Sequence, residues 1–485
     1  MSSILRPAPT MLLPELPPKT LVGIDLITFT STPKFHGIRD LPDGWHFLYT
    51  GTTESLSLRS GAWFYVGDIN ALPHEHKDSA LVPRKSNQNQ DSGPVIYIWK
   101  WSSDTESLTS LKPGDATDTR MAMYYKANLA SIWQSGGLFQ YRSRITRPPA
   151  KDNSESNENE NSEQVDQTIQ SEQAQIQDDQ ETEEIGREDW RLLTNRLSPR
   201  LLSRIVGDPN YDLDTHPRWM VTSASTADRD ADHIPGLDPQ KVSEDGVPET
   251  TGEQERAFRF VEIDLKYTWR EGAVGRERTT AALDRSWALG DLIHSISRYS
   301  NPVSGEIAFD ESVGERDLLG EMQFTFLMVL TMMNYSCLQQ WKRILELVLT
   351  SSVAIVEREA FVTEFLALLL RQLKRCDDVE GGLFDMDGDD GGAFLRDMLK
   401  KLRRSVDERV RVDDKSMVRD ELACLERWVK EEYDWELAHE SFVKRGMVRL
   451  EDGEEVEIDM NDDDDEDEET GEYAPMVVDS EQNQF

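Results

Sequence analysis

Leu318–Leu349, LLGEMQFTFLMVLTMMNYSCLQQWKRILELVL, decides the fold, because no other stretch combines this length, apolar density and helical period. Its first half places Leu319, Met322, Phe326, Val329 and Met333 at three- and four-residue steps, while Phe324, Leu327, Met328 and Leu330 fill the other faces. A helix apolar on every side is enclosed by other elements. The second half narrows to Trp341, Ile344, Leu345, Val348 and Leu349, with Gln339, Gln340, Lys342, Arg343 and Glu346 opposite. That spacing predicts an amphipathic helix facing the surface. Asn334, Tyr335 and Ser336 break the pattern, so two packed helices with a short corner are expected, one long kinked helix being the alternative.

Helical spacing surrounds this stretch. Ala282, Leu289, Leu292, Ile293 and Ile296 predict one helix before it; the segments Val353–Leu373, Ala393–Val406 and Met417–Val429 predict others after it. With no fixed repeat period, they read as a helical bundle or a curved stack of antiparallel helices. The N-terminal part has strand grammar instead. Leu21–Thr30, Trp45–Thr50, Ala62–Val66 and Val95–Trp101 are short, aromatic and β-branched runs, with a turn at Pro42-Asp43-Gly44. A small, mostly antiparallel sheet or barrel is expected, covered on one face by a helix over Arg120–Trp133 that ends at Gly136-Gly137.

The resulting fold class is α+β and multidomain. The expected divisions are a flexible N-terminus over 1–20, a β domain with its covering helix over 21–150 and an acidic disordered linker over 151–189. A helical domain over 190–450 follows, with a loop insertion near 207–256, and then an acidic disordered tail over 451–485. Composition supports these divisions. The chain of 485 residues has a net charge of −39, but Lys151–Asp189 holds −12 and Glu451–Glu472 holds −15 of it. The remainder is only mildly acidic and lacks the basic footprint of a protein that grips phosphates over a wide surface, so no direct nucleic-acid binding is expected. Prolines break up the apolar residues of the N-terminus, which therefore does not read as a signal peptide, and no window is long enough to span a membrane. Cys337, Cys376 and Cys424 are far apart and odd in number, which suits reduced thiols.

Phosphate-cradling glycine loops, nucleophile elbows, zincin helices and paired cysteine ligands are absent from the sequence, which weighs against an enzyme; no cofactor or metal is expected. Asp385-Met386-Asp387-Gly388-Asp389 begins like a calcium loop but has Asp390 and Arg396 where such a loop needs glycine and an acid. His74 and His76 lack further ligands nearby and read as loop residues. Arg371, Lys374 and Arg375, and Lys400, Lys401, Arg403 and Arg404, read as solvated helix faces, or alternatively as docking surfaces for an acidic partner. The apolar island Ala474-Pro475-Met476-Val477-Val478 after the acid run has the composition to add as a strand to another protein's sheet edge.

Two blocks, Gly23–Gly51 and Leu318–Ser351, resemble the signature regions of the A1-cistron-splicing factor family. Gly23, Asp25, Phe35, Gly37, Pro42, Gly44 and His46 carry the first; Gly320, Glu321, Phe324 and Trp341, with Gln323, Lys342 and Arg343, carry the second. Further likeness runs through Leu265–Leu289, Tyr433-Asp434-Trp435 and Ala474–Val478. The resemblance implies an N-terminal β domain followed by an all-α domain similar to VHS domains. It also implies an assembly chaperone of the U5 snRNP, cytoplasmic and nuclear. Its partner would be the large spliceosomal scaffold protein, bound at that protein's RNase H-like and MPN-type domains, and it would delay helicase docking. The family's C-terminal tail inserts as a strand, which points to Met476–Val478 here. The competing expectation is a VHS-like adaptor for acidic peptides of trafficking cargo.

Overall fold

Residues with branched and aromatic side chains fit a pleated, half-buried surface, and the N-terminal runs form strands accordingly. The computed structural model describes residues 9–52, 58–69, 72, 95–143, 180–227, 257–300, 310–376, 391–411, 415–437, 444–449 and 455–460. The strands are β1 (Thr10–Leu12), β2 (Leu21–Ile24), β3 (Ile27–Thr30), β4 (Gly37–Arg39), β5 (Gly44–Gly51), β6 (Arg59–Val66), β7 (Ile96–Ser102), β8 (Ser107–Ser110), β9 (Leu138–Gln140), β10 (Asn210–Tyr211) and β11 (Pro217–Thr222). Antiparallel pairing dominates, as expected, but in two sheets rather than one. The order β10-β11-β6-β5-β2-β3 is antiparallel throughout; β8-β7-β1-β4-β9 is mixed, with β1 parallel to β7 and β4 parallel to β9. Met11, Ile38, Tyr97 and Trp99 of the mixed sheet share one core with Val22, Leu48, Ala62 and Phe64 of the other.

The N-terminus is not flexible throughout 1–20. Met11 and Leu12 are fully buried in β1, which lies between β7 and β4. Pro9 and Pro14 fall just outside the strand, so neither removes a donor from its ladder. Helix α1 (Ala116–Gln134) covers the mixed sheet as expected, setting Met121, Tyr125, Leu129 and Ile132 against Leu12, Ile98 and Leu138.

The expected linker also ends earlier than Asp189. A helix, α2, runs over residues 180–194. Glu181, Glu183 and Glu184 sit near its start, where the helix dipole favours them, and Glu183 pairs with Arg187 one turn on at 3.1 Å. Trp190 and Leu193 then bury, while Glu183 accepts the Ser143 N–H and Asp189 pairs with the buried Arg375. The following segment, read as a loop from 207, supplies β10 and β11. Trp219 and Val221 are buried, and β11 pairs with β6 over Thr222–Ser60 to Trp219–Trp63. Between α2 and β10, α3 (Pro199–Val206) starts from a Ser198 cap and a proline in its first turn.

The helical part comprises α4 (Arg276–Leu283), α5 (Ser286–Ser300), α6 (Glu311–Met332), α7 (Tyr335–Leu349), α8 (Ala354–Glu357), α9 (Glu359–Leu373), α10 (Gly391–Arg409) and α11 (Met417–Tyr433). The single helix expected around Ala282 is two helices, separated where Asp284 caps α5 through the Ser286 N–H and hydroxyl. The opening stretch is a helix pair with a corner, not one kinked helix. Met333 ends α6 with φ of 52°, and the Asn334 side chain caps α7 at the Cys337 N–H. Helix α6 is buried from Asp317 through Met332, and full burial of each Leu or Phe contributes about 1.5–3 kcal/mol. Helix α7 is more enclosed than expected. Gln340, assigned by spacing to the outer face, is buried at 2% exposure.

Met1–Arg427 form one compact unit and Trp428–Phe485 a second. Within the second, β12 (Lys444–Arg449) pairs antiparallel with β13 (Glu455–Met460), so the stretch assigned to a disordered tail from 451 contains a strand.

Candidate functional site

The first family block builds a buried polar node. Asp25, in the turn between β2 and β3, has φ of 56°, a left-handed conformation that Asp adopts more readily than most residues. Its N–H donates to the Phe47 carbonyl at 2.8 Å. Its carboxylate accepts from the Phe47 N–H at 2.9 Å, from His46 Nδ1 at 2.8 Å and from the Tyr141 hydroxyl at 2.6 Å. His46 Nε2 faces the Pro42 carbonyl at 2.8 Å. A carboxylate and a carbonyl both accept, so the ring form that satisfies both contacts is the one that donates from both nitrogens, the imidazolium. Burial alone would lower the His46 pKa; the charge and hydrogen bond of Asp25, joined by the Pro42 carbonyl and Asp43, raise it above its ordinary value. Burial, then Asp25, pushes the Tyr141 phenol up.

The other residues of this block let chain segments approach. A Cβ on Gly23 would lie 2.0 Å from the Tyr49 ring, and one on Gly37 would lie 2.1 Å from the Met11 carbonyl oxygen. Gly44 has φ of 137°, and Phe35 packs edge-on against Phe29 and Phe139.

The second block fastens helices to sheet. Gly320 lets α6 meet α3, since a Cβ there would sit 2.5 Å from Leu201 and 2.6 Å from the Arg196 carbonyl oxygen. Glu321 is fully buried; it accepts from the Val261 N–H at 3.0 Å and Gln340 Nε2 at 2.9 Å. Arg204 completes the node as an ion pair at 2.7 Å. Gln323 accepts from the Arg196 N–H and donates to the Leu192 carbonyl and Asn195. Trp341 donates to Gln372 at 2.9 Å, and Gln372 in turn donates to the Met322 carbonyl. Phe324 meets Trp63 of β6 and Phe258.

These contacts close a seam in which one face of β5 and β6 turns to the helices. Trp190 donates to the Trp45 carbonyl, Trp45 to the Leu197 carbonyl, and Arg59 to the Thr331 carbonyl at 2.7 Å. Asn334 at the helix corner donates to the carbonyls of Ser223 and Ser225 beyond β11. Both blocks therefore supply internal joinery of the fold. The sequence reading missed Arg59, Arg204 and Tyr141. A detectable signal for part of this existed: Glu321 and Gln323 are polar residues inside a helix apolar on every side, and buried polar groups require partners.

The proposed strand Ala474–Val478, the histidines His74 and His76, and the calcium-like run Asp385–Asp389 lie outside the described residues. Among the described residues no three or more His, Cys, Asp or Glu side chains come together as metal ligands would. The basic clusters are not uniformly solvated: Arg375 is buried against Asp189, and Arg403 pairs with Asp407 and Glu426. Cys337 and Cys376 are buried and Cys424 is exposed.

Comparison with known proteins finds two family regions in the chain. Residues 7–207 match the family model described as AAR2 N-terminal domain, and residues 260–438 match AAR2 C-terminal repeat region. Over 371 residues, 75% of each chain, the protein is 22% identical to Protein AAR2 homolog of Homo sapiens and 23% identical to that of Mus musculus. A shorter match, 27% identical over 191 residues, is to Protein AAR2 homolog of Oryctolagus cuniculus, covering 38% of this chain and 52% of the relative. Two family regions matched in order over most of its length establish that the chain belongs to the AAR2 family, the A1-cistron-splicing factors.

Proposed function

We propose that this AAR2-family splicing factor acts as a non-enzymatic assembly chaperone of the U5 snRNP. It binds the large spliceosomal scaffold protein at its RNase H-like and MPN-type domains and holds back the spliceosomal helicase. It works in a cytoplasmic precursor particle and is also nuclear, with Ala474–Val478 adding as a strand to the partner. The observation that carries this reading is the match of both family regions, in sequence order, to the sheet part and the helical part. Charge supports a protein partner over a nucleic acid: the net charge is −39. No helix of the described residues is long and apolar enough to cross a membrane.

Affinity purification of the tagged full chain with mass spectrometry tests the reading. Recovery of the U5 scaffold protein without the helicase is the expected result. Recovery of trafficking proteins and no splicing proteins would overturn it.

A further inference from the structure

A groove of about 760 Å3 runs between α3, the irregular run 259–269 and α5. Its character follows from three sets of groups. Tyr267, which is 67% exposed, Trp269 and Trp287 supply ring surface. Guanidinium groups already favour these rings within the chain: Arg278 lies over Trp269 at 5.5 Å, and Arg270 over Trp287 at 6.0 Å. Charge gives the second constraint. Arg200 and Arg204 line the groove, but they are matched by Asp317 at 3.0 Å and Glu321 at 2.7 Å. Among the described residues, the exposed groups that remain in the lining are three carboxylates, Glu262, Asp264 and Asp291, and one cation, Arg259, while Arg270 and Arg278 sit at the rings outside the lining. The groove therefore favours a cationic occupant.

Backbone geometry gives the third constraint. Val261 turns both its N–H and its carbonyl inward, to Glu321 and Gln340. In an extended chain the neighbouring residues turn the opposite way. The backbone groups of Phe260 and Glu262 thus form an edge that has no backbone partner among the described residues. An extended peptide satisfies such an edge by adding as a strand.

We propose that this groove binds an extended peptide segment carrying an arginine, laid along the Phe260–Glu262 edge, with its guanidinium stacked among Tyr267, Trp269 and Trp287 and paired with Asp264 or Asp291. Arginine suits the site better than lysine, because its planar guanidinium both stacks on rings and forks onto a carboxylate. The inference goes beyond the splicing role and does not rest on it.

The test uses the full chain and fluorescein-labelled heptapeptide libraries with Val, Ile, Leu and Thr at the flanks. The central residue is Arg, Lys, citrulline or Glu, and binding is read by fluorescence polarisation. The Arg library is expected to bind most tightly, with citrulline, its neutral isostere, weaker by about tenfold or more. Tyr267→Ala and Asp291→Asn alter exposed side chains, and each is expected to weaken the Arg library while leaving the melting temperature in place. Equal binding of the Arg and citrulline libraries would overturn the proposal. So would tighter binding of the Glu library or of a labelled oligouridylate, or no binding of any library up to about 1 mM.

Discussion

Asp25 and Glu321 are both buried carboxylates, yet they fasten different parts of the molecule with different partners. Asp25 gathers the β2–β3 turn, β5 and Tyr141, all around the sheets, and its cation is His46. Glu321 gathers α3, the run before Tyr267, α6 and α7, and its cation is Arg204. Histidine titrates near neutrality and arginine does not. The sheet node is thus built to respond to pH, whereas the helix node is held by a guanidinium. The contrast explains how one chain contains a fixed seam and a titratable one.

Removing the carboxylate of the fixed seam has the largest expected effect. Glu321→Ala removes an acceptor from the Val261 N–H and from Gln340 Nε2 and the counter-charge from Arg204, and is expected to cost about 3 kcal/mol in chemical denaturation. The figure sits at the low end for a broken buried pair because Arg204 keeps partial access to water. Gly320→Ala follows at about 2 kcal/mol, since the Arg196 carbonyl in the way is backbone and yields less than a side chain. A loss below about 0.5 kcal/mol would show that α6 and α3 are not closely packed.

The titratable seam has a signed pH dependence. The folded-state pKa of His46 is raised above its unfolded value, so its contribution is complete below pH about 6.5 and is lost as pH rises through the folded pKa. Each unit of the raise corresponds to about 1.4 kcal/mol. Asp25→Asn keeps a residue tolerant of positive φ but removes the charge, so denaturation midpoints of the variant are expected to vary less above pH about 6.5 than those of the parent chain. Identical pH profiles would erase the distinction between the nodes. Trp341→Phe has the smallest expected effect, about 1 kcal/mol, through loss of the hydrogen bond to Gln372.

Periodicity made the helix pair at Leu318–Leu349 legible, down to its corner, because the break at Asn334 is both a helix cap and an interruption of the apolar pattern. Other elements were hidden for physical reasons. Strand β1 has three residues between prolines, too few to show alternation, and it is held by pairing on both sides. Helix α2 begins in acids whose composition matches a linker, while its anchors, Trp190 and Leu193, come later. Strand β11 joins β6 across the whole acidic stretch, and no local pattern encodes that pairing. The carboxylate Glu321 was visible as a family residue, but its partners come from three separate segments, so only the folded chain brings the node together.

The central claim is a protein partner in the U5 snRNP, and calorimetry tests it most directly. The purified full chain would be titrated with the scaffold protein's RNase H-like and MPN-type domains, beside a variant lacking Gly471–Phe485. Saturable binding by the full chain and weaker binding by the truncated one is the expected result. Absence of heat and of complex with the full chain would contradict the account.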